Sequence, residues 1–153
     1  MAIFYEEVLT PLLEQNVHFV IVGGTAVVLH GVPRMTADLD IVIDLERGNV
    51  EKLVTILATL DPARRREWYE EKGMLAFSFW HPERPLDAVN ILYAGCPDCE
   101  ALSRCADYVS VGRLSLAIAS IADLIAMKED TGRPQDAADI DALRRLLDVQ
   151  AGN

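Results

Sequence analysis

Two aspartates, Asp38 and Asp40, lie two residues apart at the start of an apolar stretch that ends at Asp44. Residues two apart on a β-strand point to the same face, so we expect the two carboxylates to lie side by side. Such a pair repels unless a cation lies between its members, and its place beside Leu39 and Ile41 costs stability unless something compensates. Because Mg²⁺ takes oxygen ligands and shares them with substrate phosphates, the pair predicts a divalent-metal site.

A pair of glycines precedes the aspartates, between a predicted strand and a predicted helix. Gly23 and Gly24 lack Cβ atoms, so a phosphate can approach the backbone there, and the first N–H groups of a helix can bind an anion. Arg34 lies between the glycines and the aspartates, where its guanidinium could grip an anionic oxygen. A lone Gly-Gly pair is usually only a tight turn, and a lone Asp-x-Asp can be a solvated face. The ordered combination is much more specific.

The hydrophobic pattern predicts helices and strands that alternate along most of the chain. Strands are expected at 18–22, 39–44, 74–80 and 86–92, with a hairpin of 108–111 and 114–117 around Gly112. Helices are expected at 3–15 (with a kink or break at Pro11), 26–30, 50–60, 100–106, 121–129 and 135–149. The polar stretch 61–72 is assigned no element. The pattern therefore predicts an α/β fold with a mixed sheet flanked by helices and a helical C-terminal tail, in a single domain over residues 1–153.

The amino-acid composition and net charge indicate a globular domain and argue against two kinds of partner, membranes and nonspecifically bound nucleic acid. Hydrophobic residues make up 51% of the 153 residues and charged residues 25%, which is typical of one globular domain. No apolar run approaches about 18 residues, and the N-terminus lacks a signal-peptide pattern, so no membrane association and a cytoplasmic location are expected. The net charge of -10 argues against nonspecific binding to nucleic acid, because phosphate contacts need Lys and Arg.

The segment from Phe19 to Asp44 resembles the signature of the DNA polymerase beta-like nucleotidyltransferase superfamily: a glycine turn, a short helix, then Asp-x-Asp on the next strand. Its Gly-Gly-Thr-Ala opening and its Arg-x-Thr-x-Asp-Leu-Asp-Ile close at 34–41 are most similar to the minimal and AbiEii-like toxin branch. The resemblance implies transfer of a nucleoside monophosphate from an NTP to an acceptor hydroxyl of tRNA, a protein or a small molecule. It also implies two Mg²⁺ or Mn²⁺ ions, and it places Thr25 with the two glycines in nucleotide binding.

A third carboxylate on a later strand completes the metal site in such proteins, and Asp87 matches that position. The apolar run that begins after it fits the start of a strand. The resemblance implies that Asp87 is a metal ligand and the base for the acceptor hydroxyl. Asn90 and Glu83 are weaker alternatives, and a surface turn is the plain structural alternative for Asp87.

The C-terminal part resembles the helical tail of the same branch. There a lysine faces the triphosphate and a downstream acidic residue supports the site. Lys128 would then neutralise the pyrophosphate leaving group, and Asp136 would position Lys128 or Arg133, so all three are assigned to the nucleotide site. From the residues alone, a lysine on an amphipathic helix is usually solvated, and Asp136 can equally lie near a helix N-cap.

Other reactive residues receive plain interpretations. Cys96, Cys99 and Cys105 are odd in number and close together, so reduced thiols are favoured over a disulfide framework, a zinc site or a redox pair. The run of three arginines at 64–66 is interpreted as a solvated face rather than an RNA contact. His30 is interpreted as structural rather than as a nucleotide contact.

Three hypotheses about function follow. The first is an active nucleotidyltransferase. The second is a component of a toxin–antitoxin pair, in which an antitoxin or toxin partner controls or uses that activity. The third is a catalytically silent domain that binds nucleotide or protein. Clustered carboxylates at Asp38, Asp40 and Asp87 disfavour the third, because a silent domain has no physical need for them.

Overall fold

The computed structural model describes residues 4–60, 66–71, 73–84 and 86–152. Within these ranges the chain forms six helices and seven strands. In chain order they are α1 (Phe4–Glu14), β1 (Phe19–Val22), α2 (Gly23–Leu29), β2 (Leu39–Ile43), α3 (Arg47–Thr59), β3 (Arg66–Glu71), β4 (Met74–Trp80), β5 (Ala88–Ala94), α4 (Cys99–Cys105), β6 (Asp107–Val111), β7 (Leu114–Ile118), α5 (Ile121–Lys128) and α6 (Pro134–Ala151).

The strands of the described residues form one sheet in the order β3-β4-β5-β2-β1-β7-β6. β2 pairs antiparallel with β1 and parallel with β5, while β1 pairs parallel with β7. The outer pairs β3–β4, β4–β5 and β6–β7 are antiparallel. The predicted α/β fold with a mixed sheet and a C-terminal helix is therefore confirmed, and the strand that carries the Asp-x-Asp motif lies at the centre of the sheet.

The two central strands are apolar because both faces of the sheet are covered there. Val20 and Ile21 of β1 and Leu39 and Ile41 of β2 are fully buried. Asp40 is the one residue of β2 that is not fully buried, and it lies between Leu39 and Ile41. A carboxylate in such a strand needs hydrogen-bond partners or a counter-charge, because a buried charge without them is costly.

Polar side chains set where several helices begin. The Glu46 carboxylate accepts the backbone N–H groups of Gly48 and Asn49, so α3 begins earlier than predicted. The Ser120 hydroxyl accepts the N–H of Asp123 at 3.1 Å and so caps the start of α5. Pro11 does not split α1. None of the described helices is both long and apolar enough to cross a membrane.

The clearest departure from the predicted elements is the strand β3. The stretch 61–72 was expected to be irregular; 61–65 and 72 lie outside the described residues, but Arg66–Glu71 pairs with β4. Trp68 packs on Phe77 at 4.8 Å and on Tyr93 at 5.7 Å between ring centroids. The sequence of this charged edge strand shows little alternation of apolar and polar residues. Its pairing therefore depends on these cross-strand contacts between aromatic rings.

Asn49 ties α3 to the sheet, and we expect Asn49→Ala to lower the free energy of unfolding by about 1–3 kcal/mol. Its buried amide accepts the N–H of His18 at 2.7 Å and donates to the carbonyls of His18 and Asp44 at 3.0 and 2.8 Å. Alanine leaves these backbone groups without the amide. Urea denaturation measures the loss, and the exposed Lys52→Ala on the same helix is the control. Equal effects of the two substitutions would contradict the assigned role.

Candidate functional site

A row of hydrogen-bonded side chains crosses three strands at Asp40. Asn90 of β5 is the register partner of Asp40 in the parallel β2–β5 pair, and Ser78 of β4 is the register partner of Asn90. The Asn90 amide donates to the Asp40 carboxylate at 2.7 Å, and the Ser78 hydroxyl donates to the Asn90 oxygen at 2.6 Å. Asn90, the weaker alternative for the third metal ligand, is therefore the residue that orients Asp40.

The glycine turn lies directly against this carboxylate. Gly23 has a positive φ of 68°, and a Cβ added to it would lie 2.3 Å from Oδ2 of Asp40. A Cβ on Gly24 would lie 2.9 Å from the Thr36 hydroxyl and 3.1 Å from both terminal nitrogens of Arg34. Gly23 is thus needed because the Asp40 side chain occupies the space where a Cβ would be, whereas a Cβ at Gly24 would meet only the ends of the Thr36 and Arg34 side chains.

Thr25 joins the turn to the other aspartate. Its hydroxyl donates to the backbone carbonyl of Asp38 at 2.7 Å. The carboxylate of Asp38 in turn accepts the backbone N–H of Ala88, at the start of β5. The sequence prediction assigned Thr25 to nucleotide binding; in the structure its hydroxyl holds the glycine turn and the Asp-x-Asp strand together.

Asp87 comes just before β5 rather than within it, and its side chain is 30% exposed. One carboxylate oxygen lies 2.9 Å from Nε of Arg84, in a turn closed by the bond from the Asp87 N–H to the Arg84 carbonyl. The negative charge of Asp87 acts on Asp38, whose pKa it raises. Glu83, the other alternative, is exposed and directly precedes this turn.

Burial and mutual repulsion disfavour the charged forms of the two motif aspartates. Burial is the main cause that raises the pKa of Asp38, and the Asp87 charge adds to it. Burial also raises the pKa of Asp40, with a contribution from Asp38, against the lowering effect of the Asn90 hydrogen bond. The nearby Tyr5 has its pKa raised to about 12, first by burial and then by these carboxylates. Negative charge is therefore concentrated here beyond what hydrogen bonds compensate.

This donor set fits Mg²⁺ or Mn²⁺ by its chemistry, because it offers only carboxylate oxygens whose charges repel. In the described part of the chain, no three Asp, Glu, His or Cys side chains are arranged to hold one ion together. Asp38 and Asp40 lie two residues apart in the chain, whereas Asp87 comes from a later turn and contacts Arg84 through Oδ2.

A second cluster of charged side chains lies where α5 and α6 meet. The Lys128 ammonium is buried, at 8% exposure, and lies 3.1 Å from Asp136 and 3.0 Å from Asp139. Arg133 also contacts Asp136, at 2.8 Å, and Arg34 contacts Asp139 at 2.6 Å. Three cations and two carboxylates thus form one network, and it links the C-terminal helices to the segment after the glycine turn.

The network is close enough to act on the aspartates. Lys128 and Arg133 both lower the pKa of Asp40, against the larger effect of burial. Burial raises the pKa of Asp136, but hydrogen bonds from Thr131 and Lys128 outweigh it and hold the pKa below its ordinary value. Asp136 is therefore charged near neutral pH and holds Lys128 and Arg133 on the side of the site that contains Asp40.

The structure brings the sequence-predicted residues into one region through direct contacts or charge effects. They are Gly23, Gly24, Thr25, Arg34, Asp38, Asp40, Asp87, Lys128, Arg133 and Asp136. The residue that sequence reasoning missed is Asp139, which is 1% exposed and pairs with two of the three cations. Its signal was its spacing, since it lies on the same buried helix face as Asp136 and Leu143.

The remaining candidates lie elsewhere. The His30 ring nitrogen lies 2.8 Å from the Ala119 carbonyl, which fits a structural role. Cys96, Cys99 and Cys105 are free thiols, and burial is the main cause that raises the pKa of the first two. Of the arginine run, 64 and 65 lie outside the described residues, and Arg66 begins β3.

Comparisons with known proteins concern the family and the fold. A family model described as "Nucleotidyltransferase of unknown function (DUF6036)" matches residues 4–150. A search of curated protein sequences finds no significant match.

Several solved structures share the fold. A lincosamide antibiotic adenylyltransferase, LnuA, bound to lincomycin, has a TM-score of 0.63 and 17% identity over 94% of each chain. ANT(2")-Ia in complex with adenylyl-2"-tobramycin has a TM-score of 0.61 and 15% identity, over 97% of this chain and 93% of that one. An antigenic nucleotidyltransferase-like protein from Paracoccidioides brasiliensis has a TM-score of 0.56 and 18% identity, over 93% and 72%. At these identities the similarity concerns the fold alone.

The contact between Gly23 and Asp40 predicts a coupled effect on stability. Gly23→Ala adds a Cβ where the Asp40 carboxylate lies, so we expect it to cost more than the roughly 1–2 kcal/mol of a positive φ alone. Gly73→Ala is the matched control, because Gly73 has a φ of 83° and open space around it. In an Asp40→Ala background, which removes the carboxylate but keeps the Cβ, the cost of Gly23→Ala should fall toward that of the control, as a double-mutant cycle by urea denaturation measures. An unchanged cost in that background would contradict the contact.

The raised pKa of Asp40 predicts a pH-dependent gain in stability from Asp40→Asn. A carboxyl group whose folded pKa lies above its unfolded pKa costs stability when ionised, and the cost disappears as pH falls below both values. In EDTA at neutral pH, the urea midpoint of Asp40→Asn should exceed that of the wild type, and the difference should shrink toward pH 4. The exposed Asp141→Asn is the control. A less stable Asp40→Asn protein at neutral pH would show that this charge is compensated in the fold.

Proposed function

The chain belongs to the family of nucleotidyltransferases of unknown function matched over residues 4–150, and from this premise we propose its reaction. It transfers a nucleoside monophosphate from an NTP to an acceptor hydroxyl, with the help of divalent cations. The observation that carries the proposal is Asp40, fixed in a central strand by Asn90 and by the missing Cβ of Gly23. Asp38 lies two residues before Asp40, and the negative charge of Asp87 raises the pKa of Asp38.

The NTP phosphates are assigned to the glycine turn and the cations beside it. Asp139 holds the guanidinium of Arg34 at 2.6 Å, next to the backbone of Gly24. Arg133 is the most exposed of the three cations, at 57% of its side chain, so it is the one that a phosphate reaches most directly. The buried Lys128 adds a further positive charge. Together, Lys128 and Arg133 neutralise the charge that develops on pyrophosphate.

Asp38, Asp40 and Asp87 are the residues that would hold Mg²⁺ or Mn²⁺, two ions in the proposed form. When bound, such ions make the acceptor oxygen more nucleophilic and neutralise phosphate charge. The part of Asp87 is to take the proton from the acceptor hydroxyl. No covalent intermediate with the protein is needed, because positioning and charge neutralisation carry the reaction.

Small molecules are one of three acceptor classes for this reaction, beside tRNA and proteins. Two similar structures support that class, because one contains lincomycin and the other adenylyl-2"-tobramycin. Placement in the AbiEii-like branch, and with it a toxin–antitoxin partner, rests on the motifs around Gly23 and Asp38 alone. A catalytically silent domain is the alternative, and NTP binding at the aspartates separates it from the proposal.

Calorimetry with each NTP in the presence of Mg²⁺ or Mn²⁺ tests the proposed function. We expect wild-type protein to bind at least one NTP only when the cation is present. Asp38→Asn/Asp40→Asn should weaken this binding by at least about tenfold, because it removes two anionic ligands but keeps their shape. Asp148→Asn, an exposed residue of α6, is the matched control and should bind as the wild type does.

Two results would contradict the proposal. Well-folded wild-type protein that binds no NTP with either cation would favour the silent alternative. NTP binding that survives in Asp38→Asn/Asp40→Asn would place the nucleotide elsewhere on the chain.

A further inference from the structure

A cavity of about 400 Å³ lies at the candidate site, where Thr25, Arg34 and Asp87 line it. Buried side chains of the sheet, Ile21, Leu39 and Leu116, also line it. Its volume falls within the range of roughly 300–1,000 Å³ that is typical of small-molecule sites. The cavity therefore joins the reacting carboxylates to the apolar surface of the sheet.

Most of the exposed lining of the cavity is apolar, and it comes from several elements. Val28 of α2 and Leu114 of β7 contribute to it. Both are half-buried, as is usual for side chains that a ligand can cover. A molecule that fills this space gains stability by removing apolar surface from water, so its body must itself be apolar.

The charges at the cavity disfavour an anionic occupant. Two guanidinium groups line it, and each already pairs with a carboxylate: Arg34 with Asp139, and Arg84 with Asp87. Glu6 of α1 adds a further carboxylate to the lining. An anion placed here would meet negative charge without a cation committed to it, whereas a neutral hydroxyl can donate its hydrogen to Asp87.

We propose that this cavity binds the apolar body of the acceptor, which is a neutral small-molecule alcohol whose hydroxyl lies at Asp87. The inference rests on the proposed function and names its acceptor class. A tRNA would need a basic surface, and the chain has a net charge of -10. A folded protein segment would need a wider groove than a cavity of about 400 Å³.

The transfer balances with an alcohol and an NTP alone. The alcohol oxygen forms a bond to the α-phosphorus, and the bond from that phosphorus to the bridging oxygen of pyrophosphate breaks. The bonding electron pair leaves with pyrophosphate. The hydroxyl proton passes to the Asp87 carboxylate. The products are a nucleoside monophosphate ester of the alcohol and pyrophosphate.

The probe for the test is 1-octanol, with octanoate as its anionic counterpart. Methyl NMR of the intact chain should show saturable octanol shifts at leucine and valine residues of the cavity. Octanoate should bind at least about tenfold more weakly, because its carboxylate is repelled by those of Glu6 and Asp87 in the lining. In the presence of the NTP that binds and Mg²⁺, mass spectrometry should detect the octyl ester of the nucleoside monophosphate.

Substitutions that fill the cavity should weaken binding of the acceptor without changing binding of the nucleotide. Leu114→Trp and Val28→Phe add volume from two different elements that line the cavity, and each should weaken octanol binding by at least about tenfold while NTP binding stays unchanged. Leu147→Trp is the matched control, because Leu147 lies on α6 and outside the cavity lining. Intact NTP binding also shows that each variant is folded.

The outcomes distinguish this inference from the proposed function. NTP binding without octanol binding overturns the acceptor assignment and leaves the proposed function standing. Octanol binding without any NTP binding overturns both. If the cavity-filling variants lose NTP binding but keep octanol binding, the cavity holds the nucleotide instead, and the inference is wrong. Transfer of label from the NTP to tRNA but not to octanol also overturns it.

Discussion

A carboxylate in the middle of an apolar sheet is the constraint on which the site depends. Asp40 interrupts a strand that is otherwise buried, so its charge has to be met by hydrogen bonds or by cations. Asn90 supplies the hydrogen bond because β2 and β5 pair in parallel at that register. Gly23 supplies the space, since any Cβ there would overlap the carboxylate. The buried carboxylate of Asp40 thus explains why an asparagine is present at Asn90 and a glycine at Gly23.

The burial that raises the pKa of Asp40 also indicates that the site is unfavourable without a cation. Functional sites commonly hold groups in states that the rest of the fold must stabilise, and here the cost is electrostatic. The cations of the C-terminal helices offset part of it, since Lys128 and Arg133 lower the pKa of Asp40. They do not remove it, so the negative charge left over is available to a bound divalent ion.

The second network explains why the C-terminal helices belong to the same domain as the motif. Asp139 is almost fully buried, and its carboxylate is divided between Lys128 of α5 and Arg34 of the segment after α2. Such a buried set is costly to break, because the loss of one member leaves an opposite charge buried alone. The network therefore joins the C-terminal helices to the segment that follows α2.

The sequence by itself determined the α/β class and most elements, because hydrophobic periodicity is a local signal, and its Asp-x-Asp spacing marked Asp38 and Asp40 as candidates. Tertiary structure alone decided which residues meet. Asn90 could be placed beside Asp40 only by strand register, and Asp139 could be paired with Arg34 only by the packing of a distant helix. Pairing partners far apart in the chain leave no mark on spacing, because their contact is selected by the fold as a whole.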